Sequence, residues 1–236
     1  MRPLGFSTGA LAKGDFQRGL ALQRGNPRIR AVELSALRDH ELPPLALAAG
    51  SLDLAGFEYV SVHAPSKLGA QREHAVFEQL CALPPQWPII VHPEILITPP
   101  LWRSLGRRLC LENMDDRKPR GRTVAEMREL FEEYPEASFC LDVGHARQLD
   151  PTMAVALRML LEFSDRLVQL HVSEVGPRGE HQHVAATTRW AFERIAPRVP
   201  WECPLIIESM VTAEAIDEEI RAVMLAFPTG PARGAA

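Results

Sequence analysis

Eight short apolar runs of β type recur along this chain, and one after another ends abruptly in His, Glu or Asp. A buried strand end cannot carry a charge without a partner for it. The sharpest case is Phe139-Cys140-Leu141-Asp142-Val143-Gly144-His145, where the run stops at a carboxylate and an imidazole follows three residues later. Gly144 reads as freeing the backbone to turn, which brings His145 back over the strand end. Strands are expected over 4–7, 30–34, 59–62, 88–91, 109–111, 138–141, 167–170 and 205–207. Helical patterns separate them, over 15–23, 44–49, 71–83, 153–163, 188–195 and 214–225. A further helix is capped by Thr123, with Glu126 completing a capping box. Residues 173–187 read as a long polar loop.

Alternation of strand and helix, unclear only up to Arg108 where Pro99 and Pro100 break the pattern, argues a parallel sheet with helical crossovers. Eight such units in 236 residues is the count of a TIM barrel, typically ~250 residues long. An open doubly wound sheet would gather its ligand residues at one switch point. Only a closed barrel brings so many strand ends to one mouth. The expected fold is α/β, a single-domain (β/α)8 TIM barrel over residues 1–227, with 228–236 a disordered tail.

The closing residues are Glu33, His63, His92, Glu112, Asp142, His145, His171 and Glu208. His181 and His183 join them from the polar loop, so six of the eight histidines lie at or near the mouth. Glu112, Asp142, His171 and Glu208 close four consecutive strands and crowd three carboxylates together. Like charges that close repel unless a proton is shared or a cation intervenes. A divalent metal is the economical answer, and nitrogen and oxygen donors suit zinc, manganese, iron or cobalt. If Glu112 and Asp142 point inward, strand alternation puts Cys110 and Cys140 inward too, one layer beneath, as packing residues.

The motifs His63-Ala-Pro, Val91-His-Pro, Leu111-Glu-Asn, Leu141-Asp-Val-Gly-His and Leu170-His-Val, with Glu208 on the last strand, resemble those of the xylose-isomerase-like TIM barrels. That superfamily holds sugar isomerases and epimerases as well as apurinic-site nucleases of the endonuclease IV type. Resemblance to the epimerases implies one metal on Glu112, Asp142, His171 and Glu208, with His145 touching substrate. Resemblance to the nucleases implies that His63 and His92 join Glu112 on a second metal, and His145 and His183 serve a third. Those nucleases carry Asp-x-His in the seventh loop, where this chain has His181-Gln182-His183.

Two enzyme readings follow. In the leading one, a metal-dependent sugar or sugar-phosphate isomerase or epimerase, Glu112 and Glu208 move a proton beside a metal-polarised carbonyl, and His145 assists. Glu33, Asn113, Arg117 and Lys118 are candidates to bind the substrate, the last two by gripping a phosphate or acid group. In the alternative, one to three ions serve a zinc phosphodiesterase, or a multi-iron oxidative enzyme on the same barrel. A non-catalytic metal-binding barrel ranks last. Glu33 and Glu94 are candidates to anchor the far ring nitrogens of His63 and His92.

Charge bears on partners. The formal net charge is −4 and the pI about 6.1, so duplex DNA is not an expected partner. The four cysteines form no CxxC pair, and residues 1–20 lack a signal peptide's apolar core. The expectation is a cytoplasmic protein without a membrane partner.

Overall fold

The computed structural model describes residues 2–228; the tail expected over 228–236 lies, but for Pro228, outside the described residues. Eight parallel strands close into a barrel: β1 (Leu4–Ser7), β2 (Ala31–Ser35), β3 (Tyr59–His63), β4 (Ile89–Val91), β5 (Leu109–Glu112), β6 (Ser138–Asp142), β7 (Leu167–Val172) and β10 (Leu205–Ile207). Each pairs with its neighbours in sequence, and β10 closes on β1. Between β7 and β10 a small antiparallel hairpin, β8 (Glu174–Val175) with β9 (His181–Gln182), interrupts the segment expected to be loop.

The helices are α1 (Thr8–Ala12), α2 (Phe16–Gln23), α3 (Leu42–Ala48), α4 (Glu73–Cys81), α5 (Pro99–Arg103), α6 (Val124–Glu133), α7 (Val143–Leu149), α8 (Ala154–Glu162), α9 (Ala186–Glu193) and α10 (Ile216–Ala226). Most of the core lies between them and the strands. Inside the barrel, Ile90, Cys110 and Cys140 form a separate apolar plug, as strand alternation requires.

The turn expected after β6 is instead the start of α7. Asp142 caps that helix, its Oδ1 accepting the His145 amide at 2.8 Å. Gly144 is helical, and its role is close approach: a Cβ there would lie 2.5 Å from the Ser173 carbonyl oxygen. At α6, Thr123 accepts the Glu126 amide as expected, but the Glu126 carboxylate returns to the amide of Arg122, one residue before the cap.

The irregular segment before β5 is pinned by one carboxylate that local pattern did not reveal. Buried Glu73 accepts the amides of Ile97 (2.9 Å) and Thr98 (2.8 Å), the Thr98 hydroxyl (2.7 Å) and the Trp102 indole N–H (2.7 Å). Glu73→Ala leaves those donors unpaired around a cavity, which should cost about 3 kcal/mol. Urea unfolding checks this; a loss below about 1 kcal/mol would show the segment holds itself.

Candidate metal centre

The C-terminal strand ends supply three overlapping groups of potential ligands. His63, His92 and Glu112 form one, Glu112, Asp142, His171 and Glu208 the second, and Asp142, His145 and His181 the third, with donor atoms inside each group within 4.8 Å of one another. Glu112 belongs to two groups and uses a different oxygen for each. Its Oε2 lies 3.3 Å from His63 Nε2 and 3.4 Å from His92 Nε2. Its Oε1 lies 3.5 Å from His171 Nδ1. Glu208 Oε2 lies 3.4 Å from His171 Nδ1 and from His181 Nδ1.

These separations exceed good hydrogen bonds. Two donors each ~2.05 Å from a tetrahedral ion would sit about 3.4 Å apart, the spacing found here. His171 Nδ1 and Asp142 Oδ2, both facing the central group, are buried without a hydrogen-bond partner. Most of the rings are also oriented from behind. His63 Nδ1 donates to the Ala64 carbonyl at 2.7 Å, His145 Nδ1 to the Asn113 carbonyl at 3.0 Å, and His171 Nε2 to Glu33 Oε2 at 3.0 Å. Each then has its other nitrogen free as a donor atom. The residues therefore fit divalent ions.

Electrostatics agree. Burial pushes Glu208 up to about 8, with Glu112 and Asp142 adding to the effect against the pull of His171. Burial also raises Asp142. Burial disfavours charge on His92, yet Glu112 and Glu94 outweigh it and raise the ring to about 9. The same contest at His145, won by Asp142 and Glu112, gives about 10. Burial lowers His181 to about 3, and the neighbouring His145 adds to this. Without a cation the crowded charge is balanced by protons, on the histidines and on Glu208 itself.

Several expected site residues lie elsewhere. Glu33 is wholly buried beneath the site, held by Ser61, Gln169 and His171, so it cannot reach substrate; the ring it anchors is His171, not His63 or His92. Asn113 is also inaccessible, its amide bridging to the Asp142 backbone N–H at 2.8 Å and C=O at 2.9 Å. His183 is absent from all three groups: its Nδ1 contacts Glu219, and the ring is half exposed. Glu94 lies 3.7 Å from His92 Nδ1, a near approach and not a hydrogen bond. Arg117 and Lys118 do reach the mouth, paired with Asp115 and Glu94.

Asp115 is a mouth residue that the strand-end pattern does not single out. It is buried there, binds Arg117 and lies 3.8 Å from His145 Nε2. Its one signal in the sequence is position, three residues past a strand-end Glu. The groups open into a cavity of about 530 Å³ lined also by Ser7, Ser66, Lys67 and Met210.

Scanned against protein-family models the chain matches none, and no curated protein matches it. Solved structures do. Endonuclease IV from Thermus thermophilus superposes with a TM-score of 0.58 at 19% identity, covering 95% of this chain and 98% of that one. SacUVDE gives 0.56 at 13% identity, covering 95% and 98%. Dihydropteroate synthase from Yersinia pestis gives 0.50 at 14%, covering 95% and 91%. Likeness at such identities speaks for architecture, and with the closed eight-stranded barrel it shows that this chain has the (β/α)8 TIM-barrel fold.

Proposed function

We propose that the protein is a multinuclear metal-dependent hydrolase of phosphate esters. The observation that carries this is Glu112, whose two oxygens face two different ligand groups. A carboxylate so placed spans two cations, about 3.5–4 Å apart in two-metal sites. An isomerase with one ion has no need of His63 and His92 in that position, which supports reversing the order of preference that the strand-end motifs suggested.

His63, His92 and Glu112 would hold one ion, Glu112, Asp142, His171 and Glu208 another, and Asp142, His145 and His181 a third. Bound there, divalent ions supply Lewis acidity and neutralise charge on the ester oxygens. Arg117 and Lys118 at the rim orient the phosphate. Asp115 holds the Arg117 guanidinium at the mouth. The cavity is of a size that suits a nucleotide-scale unit. Fold kinship with a protein named endonuclease IV supports this choice and makes nucleic acid a substrate to test despite the acidic net charge.

Glu208 favours a second reading. A carboxyl near neutrality at the rim of the cavity suits proton transfer in an isomerase or epimerase.

Metal analysis separates the two. Wild type should bind at least two equivalents of zinc, manganese, iron or cobalt, and the His63→Ala, His92→Ala double variant should bind one fewer. The loaded protein should cleave bis(p-nitrophenyl) phosphate or an abasic duplex. Unchanged stoichiometry in the double variant, with solvent-deuterium exchange into a sugar phosphate and no ester cleavage, would return the site to the isomerase reading.

A further inference from the structure

Glu219 is a fully buried carboxylate on α10, outside the three ligand groups. Its Oε1 accepts the Val184 amide at 3.1 Å and the Ser209 hydroxyl, and its Oε2 contacts His183 Nδ1. Among the described residues, His183 is its one basic partner within 4.0 Å. A buried carboxylate is costly unless it is paired and hydrogen-bonded, and these three partners offset that cost here. The two segments it ties together each carry a candidate metal ligand. Val184 and His183 follow His181 on the hairpin, and Ser209 follows Glu208 at the end of β10. A backbone bond from the Met210 amide to the His181 carbonyl, 3.2 Å, continues the same seam. Across it, His181 Nδ1 and Glu208 Oε2 face each other at 3.4 Å.

We propose that Glu219 is a positioning residue of the metal centre. It braces the hairpin against the end of β10, so that His181 stands over Asp142 and His145. His183 belongs to the brace and is not a ligand. This rests on the reading of the mouth as a metal centre and is independent of whether the reaction is hydrolysis. The two histidines thus divide the labour: His181 stands with Asp142 and His145, and the buried carboxylate takes His183.

The test uses the full chain and one probe, cobalt(II), with stoichiometry and visible absorption read beside the thermal midpoint. Wild type should bind an equivalent that His181→Ala loses. His183→Ala should keep that equivalent with less than a tenfold loss of affinity, because Ser209 and Val184 still engage Glu219. Glu219→Ala should lose it while the other equivalents remain. Glu219→Gln, which keeps an acceptor for the Val184 amide, should restore it. Should Glu219→Ala fail to fold, Ser209→Ala removes one bond of the brace and should weaken that equivalent several-fold with little change in midpoint. Loss of the same equivalent in His183→Ala as in His181→Ala would make His183 a ligand and overturn the proposal. So would full cobalt binding by Glu219→Ala, or by Ser209→Ala where that variant stands in. A wild type that binds no cobalt would instead defeat the metal reading itself, before any variant is compared.

Discussion

Glu112→Gln should lose two metal equivalents at once. The side chain keeps its size, but the neutral amide brings no charge to either cation and turns its NH2 group toward one of them. His63 and His92 would lose the carboxylate facing their Nε2 atoms, and His171 one of the two facing its Nδ1. Any turnover that depends on the centre should fall at least roughly 10²–10³-fold, the magnitude seen when one electrostatic stabiliser is removed. Circular dichroism should be unchanged, because strand pairing around Glu112 is made by the backbone. Elemental analysis after dialysis checks the count. A variant that loses a single equivalent would mean that Glu112 serves one ion, and the multinuclear reading would not survive.

Metal affinity should climb steeply with pH. An imidazole binds a metal as the neutral base, and the metal-free protein holds His92 protonated up to about pH 9. Loading the His63, His92 and Glu112 group below that pH must expel the proton. Each expelled proton makes apparent affinity rise about tenfold per pH unit, so roughly 100-fold between pH 6 and 8. The rise should flatten above about 9 for this group, and continue toward about 10 where His145 loses its proton. His181, neutral above about 3, adds no slope. In the metal-free protein the sign is opposite: the stability contributed by protonated His92 is complete below its ordinary 6.5 and is lost as pH rises through about 9. Calorimetry at four pH values, in buffers of different ionisation enthalpy, counts the protons released. An affinity flat from pH 6 to 8 would rule out proton displacement at this group.

The strand-end residues were legible because their signal is local. An apolar run that stops at His, Glu or Asp is visible in a few residues, and seven repeats of it imply a mouth where they converge. His63, His92, Glu112, Asp142, His145, His171, His181 and Glu208 do converge. Glu33 shows how fragile the same logic is. The run expected over 30–34 closes at Ser35, so Glu33 sits one inward layer deeper, beside Ser61 and Gln169. With a period of two, a small error at a strand end moves a side chain from the mouth to the interior.

By itself the sequence determined the architecture, the chemistry of the mouth and the packing role of Cys110 and Cys140, because strand period and strand ends are properties of short stretches. Tertiary structure alone decided which donor atoms face one another and which side chains hold them. Glu112 divides its oxygens between His63 and His92 on one side and His171 on the other only because the closed barrel curves those strand ends around it. His183 has the same spacing signal as His181, yet it is claimed by Glu219, thirty-six residues away along the chain. Contacts of that span are set by how elements pack after the chain has folded, and no local pattern carries them.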